Sequence, residues 1–377
     1  MMFLFVITLF LIGLSQLTGK TISGKKFTKK KKFPSIHFSE KRLDSLGNNQ
    51  GGLYKDLLHY RDSIDIFYLD HFALERDLFV QYRKIESDLY GRNPLPGKVV
   101  EGADNWMFLG DNFSNALSES LGHDLFEEKS LIRIEKQVAN KRGWLDEKGI
   151  SYYVAVAPNK LSIYRDKLPI KSPDTLTKAK QLFAHFAKTD FPIIDLSKEI
   201  RKHKEEELYY RYDSHWNDLG AYWGYFTLIS ELKKDYPQIK VVGLDELTLK
   251  REPEDRSDLI KMLKIKRSAI TNRLYHKNSN ATPLPAELTI PSYYRQPAQY
   301  EYRYKSDVNN LKVLLLGDSF SNALKEFLKE SFGELVMVRD SRFDKRIIER
   351  EQPDIVINEF IERDIELIWI KPVELNE

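Results

Sequence analysis

No cysteine occurs among the 377 residues, which excludes disulfide scaffolds, thiolate zinc centres, iron–sulfur clusters and a cysteine nucleophile. The eight histidines, at positions 37, 59, 71, 123, 185, 203, 215 and 276, form no His-x-His and no His-Glu-x-x-His, so no linear metal motif is present. Carboxylates are too many and too scattered to pick out a glycosidase pair. There is no internal repeat, and no low-complexity segment apart from one cluster of lysines. No charged side chain occurs from Met1 to Gly19.

What is present is a chain 42% hydrophobic, 31% charged and 12% aromatic, able to bury a sizeable core, which excludes disorder and collagen-like classes. Its length exceeds one average domain and falls short of three. The formal charge of +3 conceals a split. Seven lysines (Lys20, Lys25, Lys26, Lys29, Lys30, Lys31 and Lys32) lie in one acid-free stretch; without them the chain carries 52 basic against 56 acidic residues. The body is therefore mildly acidic, which argues against nucleic-acid binding. The lysines read either as a solvated linker or as a contact for anionic lipid headgroups, worth about 1 kcal/mol per residue near a surface.

Residues 1–19 read as a signal peptide or an uncleaved membrane anchor, their apolar run approaching the length that spans a bilayer. Lysines after that run, with none before it, would hold their side in the cytoplasm, which conflicts with export. Residues 20–38 form the lysine-rich linker and 39–96 an N-terminal helical segment, in which Leu78, Phe79, Tyr82 and Ile85 recur at helical spacing. Asn93 to Gly97 breaks that pattern. The remainder, 97–377, reads as one α/β catalytic domain. Val99 to Leu109 is a strand pair around Gly102–Asn105. A long helix follows with Leu131, Ile134, Val138 and Leu145 on one face and Gly149 as its stop. Strands at Tyr152–Ala157, Pro192–Leu196, Leu311–Leu316, Leu335–Val338 and Ile355–Ile357 alternate with amphipathic helices, so a mostly parallel sheet covered on both faces is expected. One helix is expected to begin at Ser172-Pro173-Asp174, with Leu176 on its buried face. Residues 241–310 read as an insertion of loops and short elements.

Two segments carry chemistry. In Val313-Leu314-Leu315-Leu316-Gly317-Asp318-Ser319-Phe320-Ser321 a buried strand ends in a tight turn, and a serine stands where a helix begins. That is the carboxyl edge of the sheet, where such folds place ligands, and a helix N-terminus suits an oxyanion. Gly317 removes a side chain that would block close approach. The second segment is Tyr212-Asp213-Ser214-His215-Trp216-Asn217. A serine hydroxyl needs a base to take its proton, and the base needs a carboxylate to fix its tautomer. Asp213 and His215, two apart in an extended segment, project to one side, and Asn217 caps the next helix. The set Ser319, His215 and Asp213 is therefore the expected catalytic triad.

Taken together these segments resemble the SGNH-hydrolase-like alginate O-acetyltransferases, the AlgJ/AlgX or DHHW type. Further matches are Tyr68-Leu69-Asp70-His71-Phe72, Asp104-Asn105-Trp106-Met107-Phe108-Leu109, Ala157-Pro158-Asn159-Lys160, and Pro353 to Glu359 with Glu362-Arg363. The resemblance implies an SGNH-like three-layer sandwich with circularly permuted motif order. It also implies an extracytoplasmic enzyme that moves acetyl groups onto a polysaccharide through an acyl-serine. Ser319 would be the nucleophile, His215 the base and Asp213 its orienter. Gly317, Asn159 and Trp216 are carried as oxyanion or substrate contacts, with helix capping the expected role of Asn159. Asp70 and His71 read as structural. Expected partners are a polysaccharide acceptor, an acyl donor and a membrane O-acyltransferase, with membrane association through the N-terminus; no cofactor or metal is expected. An envelope glycan esterase and a non-catalytic polysaccharide scaffold stay open as alternatives.

Overall fold

The computed structural model describes residues 93, 95–170, 175–287 and 301–374. The expectations for residues 1–92, including Asp70 and His71, lie outside the described residues, as does the proposed helix start at Ser172–Asp174.

A seven-stranded sheet organises the chain. Its strands are β3 (Ser151–Ala157), β4 (Ile194–Asp195), β7 (Thr282–Leu284), β8 (Glu301–Lys305), β9 (Lys312–Leu316), β10 (Glu334–Val338) and β11 (Ile355–Ile361), in the order β4-β3-β11-β9-β10-β8-β7. The first five strands in that order run parallel. β8 and β7 add an antiparallel edge. A preceding hairpin, β1 (Val99–Glu101) and β2 (Met107–Leu109), pairs Val99 with Leu109. Asp104 and Asn105 take the left-handed conformation at its turn.

Alternate strand residues serve opposite cores, as the two-residue period of a strand requires. Val154, Val156, Leu314, Leu316, Val336 and Val356 face a core shared with α2 (Glu128–Asp146), α4 (Lys178–Phe186) and α9 (Lys345–Glu351). Ala155, Ala157, Val313, Leu315, Met337 and Ile357 face the other, shared with α6 (Asp218–Leu232) and α8 (Ser321–Leu328). The result is a sheet between two helical layers. Smaller helices are α1 (Ala116–Ser120), α3 (Lys160–Ile163), α5 (Ser197–Lys202) and α7 (Asp258–Leu263). Among the described residues, no helix is long and apolar enough to cross a membrane.

Three local differences from expectation have physical reasons. α4 starts at Lys178, where Thr177 accepts the Lys180 amide at 3.3 Å, and Leu176 is exposed. β11 runs four residues past Ile357, because Asn358 and Glu359 are buried with hydrogen bonds instead of ending the strand. The 241–310 stretch also holds more order than expected. It contains a seven-pair antiparallel ladder between β5 (Leu247–Pro253) and β6 (Ile270–His276), the helix α7, and the antiparallel edge of the main sheet.

Candidate active site

Register brings the site together. Ala157 pairs with Ile361 and Leu316 with Asn358, so the segments after β3, β9 and β11 leave the same edge of the sheet. After β9, Gly317 has no room for a Cβ: it would stand 1.9 Å from Ser321 Oγ and 2.9 Å from Glu359 Oε2. That closeness lets Ser321 Oγ donate to Glu359 at 2.6 Å and fixes the turn. Asp318 accepts the Phe320 and Ile361 amides, each at 2.7 Å, and so lashes the turn to the end of β11. Burial raises the pKa of both Asp318 and Glu359, and Glu359 is pushed well up, with the Asp318 charge adding to it. Ser319 is left half-buried, just before α8 begins.

The second segment meets it. His215 Nε2 lies 2.7 Å from Ser319 Oγ, and His215 Nδ1 lies 2.6 Å from Asp213 Oδ1. The same Asp213 oxygen accepts the His215 amide at 3.1 Å, and its other oxygen accepts the Asp258 amide at 2.9 Å. Burial alone would raise the Asp213 pKa. The His215 hydrogen bond and charge, with those amides, outweigh burial and hold it at about 2. Asn217 caps α6 through the Gly220 amide at 3.0 Å, which fixes where the His215 loop ends.

The depressed Asp213 pKa gives a pH prediction. The unfolded carboxyl titrates near 4, so the contribution of Asp213 is fully present above that pH and is lost as pH falls through about 2. Its size is on the order of 2 kcal/mol. Urea unfolding of wild type and Asp213→Asn should therefore show a stability gap that is present between about pH 4 and 5 and narrows toward pH 2.5. A gap that stays constant across that range contradicts the assignment.

Trp216, expected as a substrate contact, is only 1% exposed, and its indole donates to the Phe320 carbonyl at 3.2 Å. It joins the histidine loop to the serine turn and offers no face to solvent. Asn159, expected as a cap, makes no side-chain capping bond at α3. Its Nδ2 reaches Glu119 at 3.4 Å, and its Oδ1 accepts from Arg363 at 3.2 Å. Arg363 in turn lies 5.7 Å from the centre of the Phe320 ring, so Asn159 is linked to the serine turn through one cation. Burial, then the Glu362 charge, pushes Glu119 up to about 9.

Sequence reasoning missed two members of this neighbourhood. Asp258 takes the Ser214 amide at 2.9 Å and the Ser214 hydroxyl at 2.5 Å on its two oxygens. Its signal was a Ser257-Asp258 pair before an apolar run, which reads as an ordinary helix start. Lys160 is buried, and its ammonium donates to the carbonyls of Met107 at 2.5 Å, Arg211 at 2.9 Å and Asp213 at 3.1 Å. Burial pushes its pKa down to about 7. Asp213, His215 and Asp258 are also close enough to share a cation, their ligand atoms lying within 4.8 Å of one another. Those atoms are instead committed to one another, to backbone amides and to the Ser214 hydroxyl, which suits proton transfer better than metal binding.

A serine on a strand-to-helix turn, a histidine within hydrogen-bond reach and a buried carboxylate behind it stand together on a mostly parallel sheet, an arrangement that several unrelated hydrolase-like folds share. Residues 99–341 match the family described as "SGNH hydrolase-like domain, acetyltransferase AlgX", and the chain belongs to it. Among solved structures, Bacillus cereus PatB1 superposes with a TM-score of 0.51 at 16% identity, covering 72% of this chain and 98% of that one. PatB1 with a sulfonyl adduct gives 0.52 at 16%, covering 72% and 97%. A DHHW family protein from Eubacterium siraeum gives 0.50 at 15%, covering 74% and 99%. At these identities the likeness is one of fold. A search of curated proteins finds no matching sequence.

Proposed function

We propose that the protein is an O-acetyltransferase acting on an extracytoplasmic polysaccharide through an acyl-serine intermediate. The observation that carries this reading is the continuous line Ser319 Oγ–His215 Nε2, His215 Nδ1–Asp213 Oδ1, at 2.7 and 2.6 Å. Membership of an acetyltransferase family supports it. In the first half-reaction Ser319 Oγ attacks the acyl carbon as its proton passes to His215 Nε2; His215 then gives that proton to the departing group. In the second, a sugar hydroxyl attacks the acyl carbon, loses its proton to His215, and Ser319 leaves carrying it. The Ser319 amide is one oxyanion donor in this scheme. Asn159 is the second, since its amide has a hydrogen to spare beyond the one aimed at Glu119. Gly317, expected to keep the approach clear, instead lets the turn close on Ser321 and Glu359, which sets where Ser319 stands. The acceptor polymer, a membrane O-acyltransferase that supplies the acyl group, and export by an N-terminal signal or anchor belong to the same proposal.

The test is to expose the protein to a chromogenic acetyl ester and map the acetylated peptide by mass spectrometry. Acetyl on Ser319, discharged to an added glycan, is the expected result. Acetyl on another residue overturns the reading, and discharge to water alone, with a glycan present, makes the protein an esterase.

A further inference from the structure

The geometry points to Asp258 as a positioning residue: a second carboxylate behind His215 that ties the 241–310 stretch to the catalytic base. This rests on the acyl-serine reading above. Asp258 acts on the triad from two directions. Its backbone amide donates to Asp213 Oδ2 at 2.9 Å, fixing the oxygen that does not face the imidazole. Its own carboxylate takes both donors of Ser214, and Ser214 Oγ stands 3.4 Å from His215 Nδ1. Asp258 Oδ2 is itself 3.9 Å from that nitrogen. When His215 takes the Ser319 proton, the imidazolium forms beside two carboxylates instead of one.

The plain alternative is an acid at the start of α7, where it would favour the helix dipole. The side chain does not behave that way. It bonds to Ser214, 44 residues earlier, and the Ser257 cap of α7 makes no side-chain bond. The backbone agrees, because the Leu259 amide donates to the Tyr212 carbonyl at 3.2 Å and holds α7 against the histidine loop. The other charged groups facing this cluster are Lys160 from α3, Arg211 from the loop itself, and Glu254, which accepts the Arg211 and Tyr212 amides. On the serine side, Arg363 lies against Phe320, whose ring centre is 4.9 Å from that of His215. Burial and the Asp213 charge both favour the protonated form of Asp258, so its charge behind His215 grows as pH rises.

Asp258→Asn isolates the charge: the amide to Asp213 stays, and an oxygen remains for Ser214. With a chromogenic acetyl ester the expected result is a kcat/KM about tenfold lower, with KM changed less than about twofold. The acid limb of the pH profile should move to lower pH, because an imidazolium with less negative charge beside it gives up its proton sooner. In an Asp213→Asn background the further shift should persist, since the Asp258 charge acts on the imidazole directly and is then the remaining carboxylate beside it, and Asp258→Glu should restore the wild-type limb. An Asp258→Asn protein with a wild-type profile overturns the assignment, as does one that only melts at a lower temperature. Ser319→Ala separates the two readings. If it keeps full turnover, the acyl-serine reading falls; if it is inactive beside an unaffected Asp258→Asn, only the role of Asp258 falls.

Discussion

Replacing Ser319 by alanine is expected to lower turnover of a chromogenic acetyl ester by about 10⁴-fold or more, with the fold intact. The size follows from what is lost. On the proposed mechanism no covalent intermediate forms without Oγ, and His215 Nε2 loses its hydrogen-bond partner 2.7 Å away, so the proposed base and orienter stand with nothing to activate. Little else leans on this side chain. The turn is held by Asp318 on the Phe320 and Ile361 amides and by Ser321 on Glu359. Urea midpoints of variant and wild type should therefore agree, and a large drop in stability would mean that Ser319 is packed into the fold more than its half-buried position indicates. Wild-type turnover in the alanine variant would remove Ser319 from the chemistry altogether.

Lys160→Met is expected to have the largest effect on stability. Three carbonyls, those of Met107 and Asp213 buried and that of Arg211 partly so, lose their donor together, at roughly 1–3 kcal/mol each, while the cost of desolvating an ammonium is recovered. The balance is a loss of about 3–5 kcal/mol, measurable as a fall in urea midpoint at unchanged slope. The methionine chain fills much of the volume beside Trp106 and Phe108, whose ring centres lie 4.9 and 5.2 Å from the ammonium, so a cavity does not account for the change. One of the three carbonyls belongs to Asp213, so turnover of the folded fraction should fall as well. A variant as stable as wild type would show that the three carbonyls find other donors.

The parts of this site that were legible in the sequence obey local rules. The β9 strand, its glycine turn and the following helix announce themselves by an apolar run that stops at Gly317. Asn217 is a helix cap by type and position, and it caps. Asp213 and His215 do meet, though not on extended chain: residues 211–215 bend, and Asp213 Oδ1 takes both the His215 amide and its Nδ1, a local turn of the kind aspartate favours. The opaque parts depend on distant partners. Asp258 looks like any acid before an apolar helix, and only the folded chain sets it against Ser214. Lys160 looks like a surface lysine, yet its ammonium is drawn inside by three carbonyls, one from β2 and two from the histidine loop. β11 looks short because Asn358 and Glu359 are polar, and the sheet carries them inside by giving each hydrogen bonds. Leu176 failed for the opposite reason: an apolar residue at the right spacing stands just before the Thr177 cap of the helix it seemed to join.

The indole bond from Trp216 to Phe320 has a consequence for motion. Histidine and serine arrive on segments 104 residues apart in sequence, a separation that by itself would let each move on its own. Clamped through Trp216 and through the imidazole itself, the two loops form one cooperative unit. His215 and Ser319 are therefore expected to open together, so amide exchange in the two loops should report one shared opening.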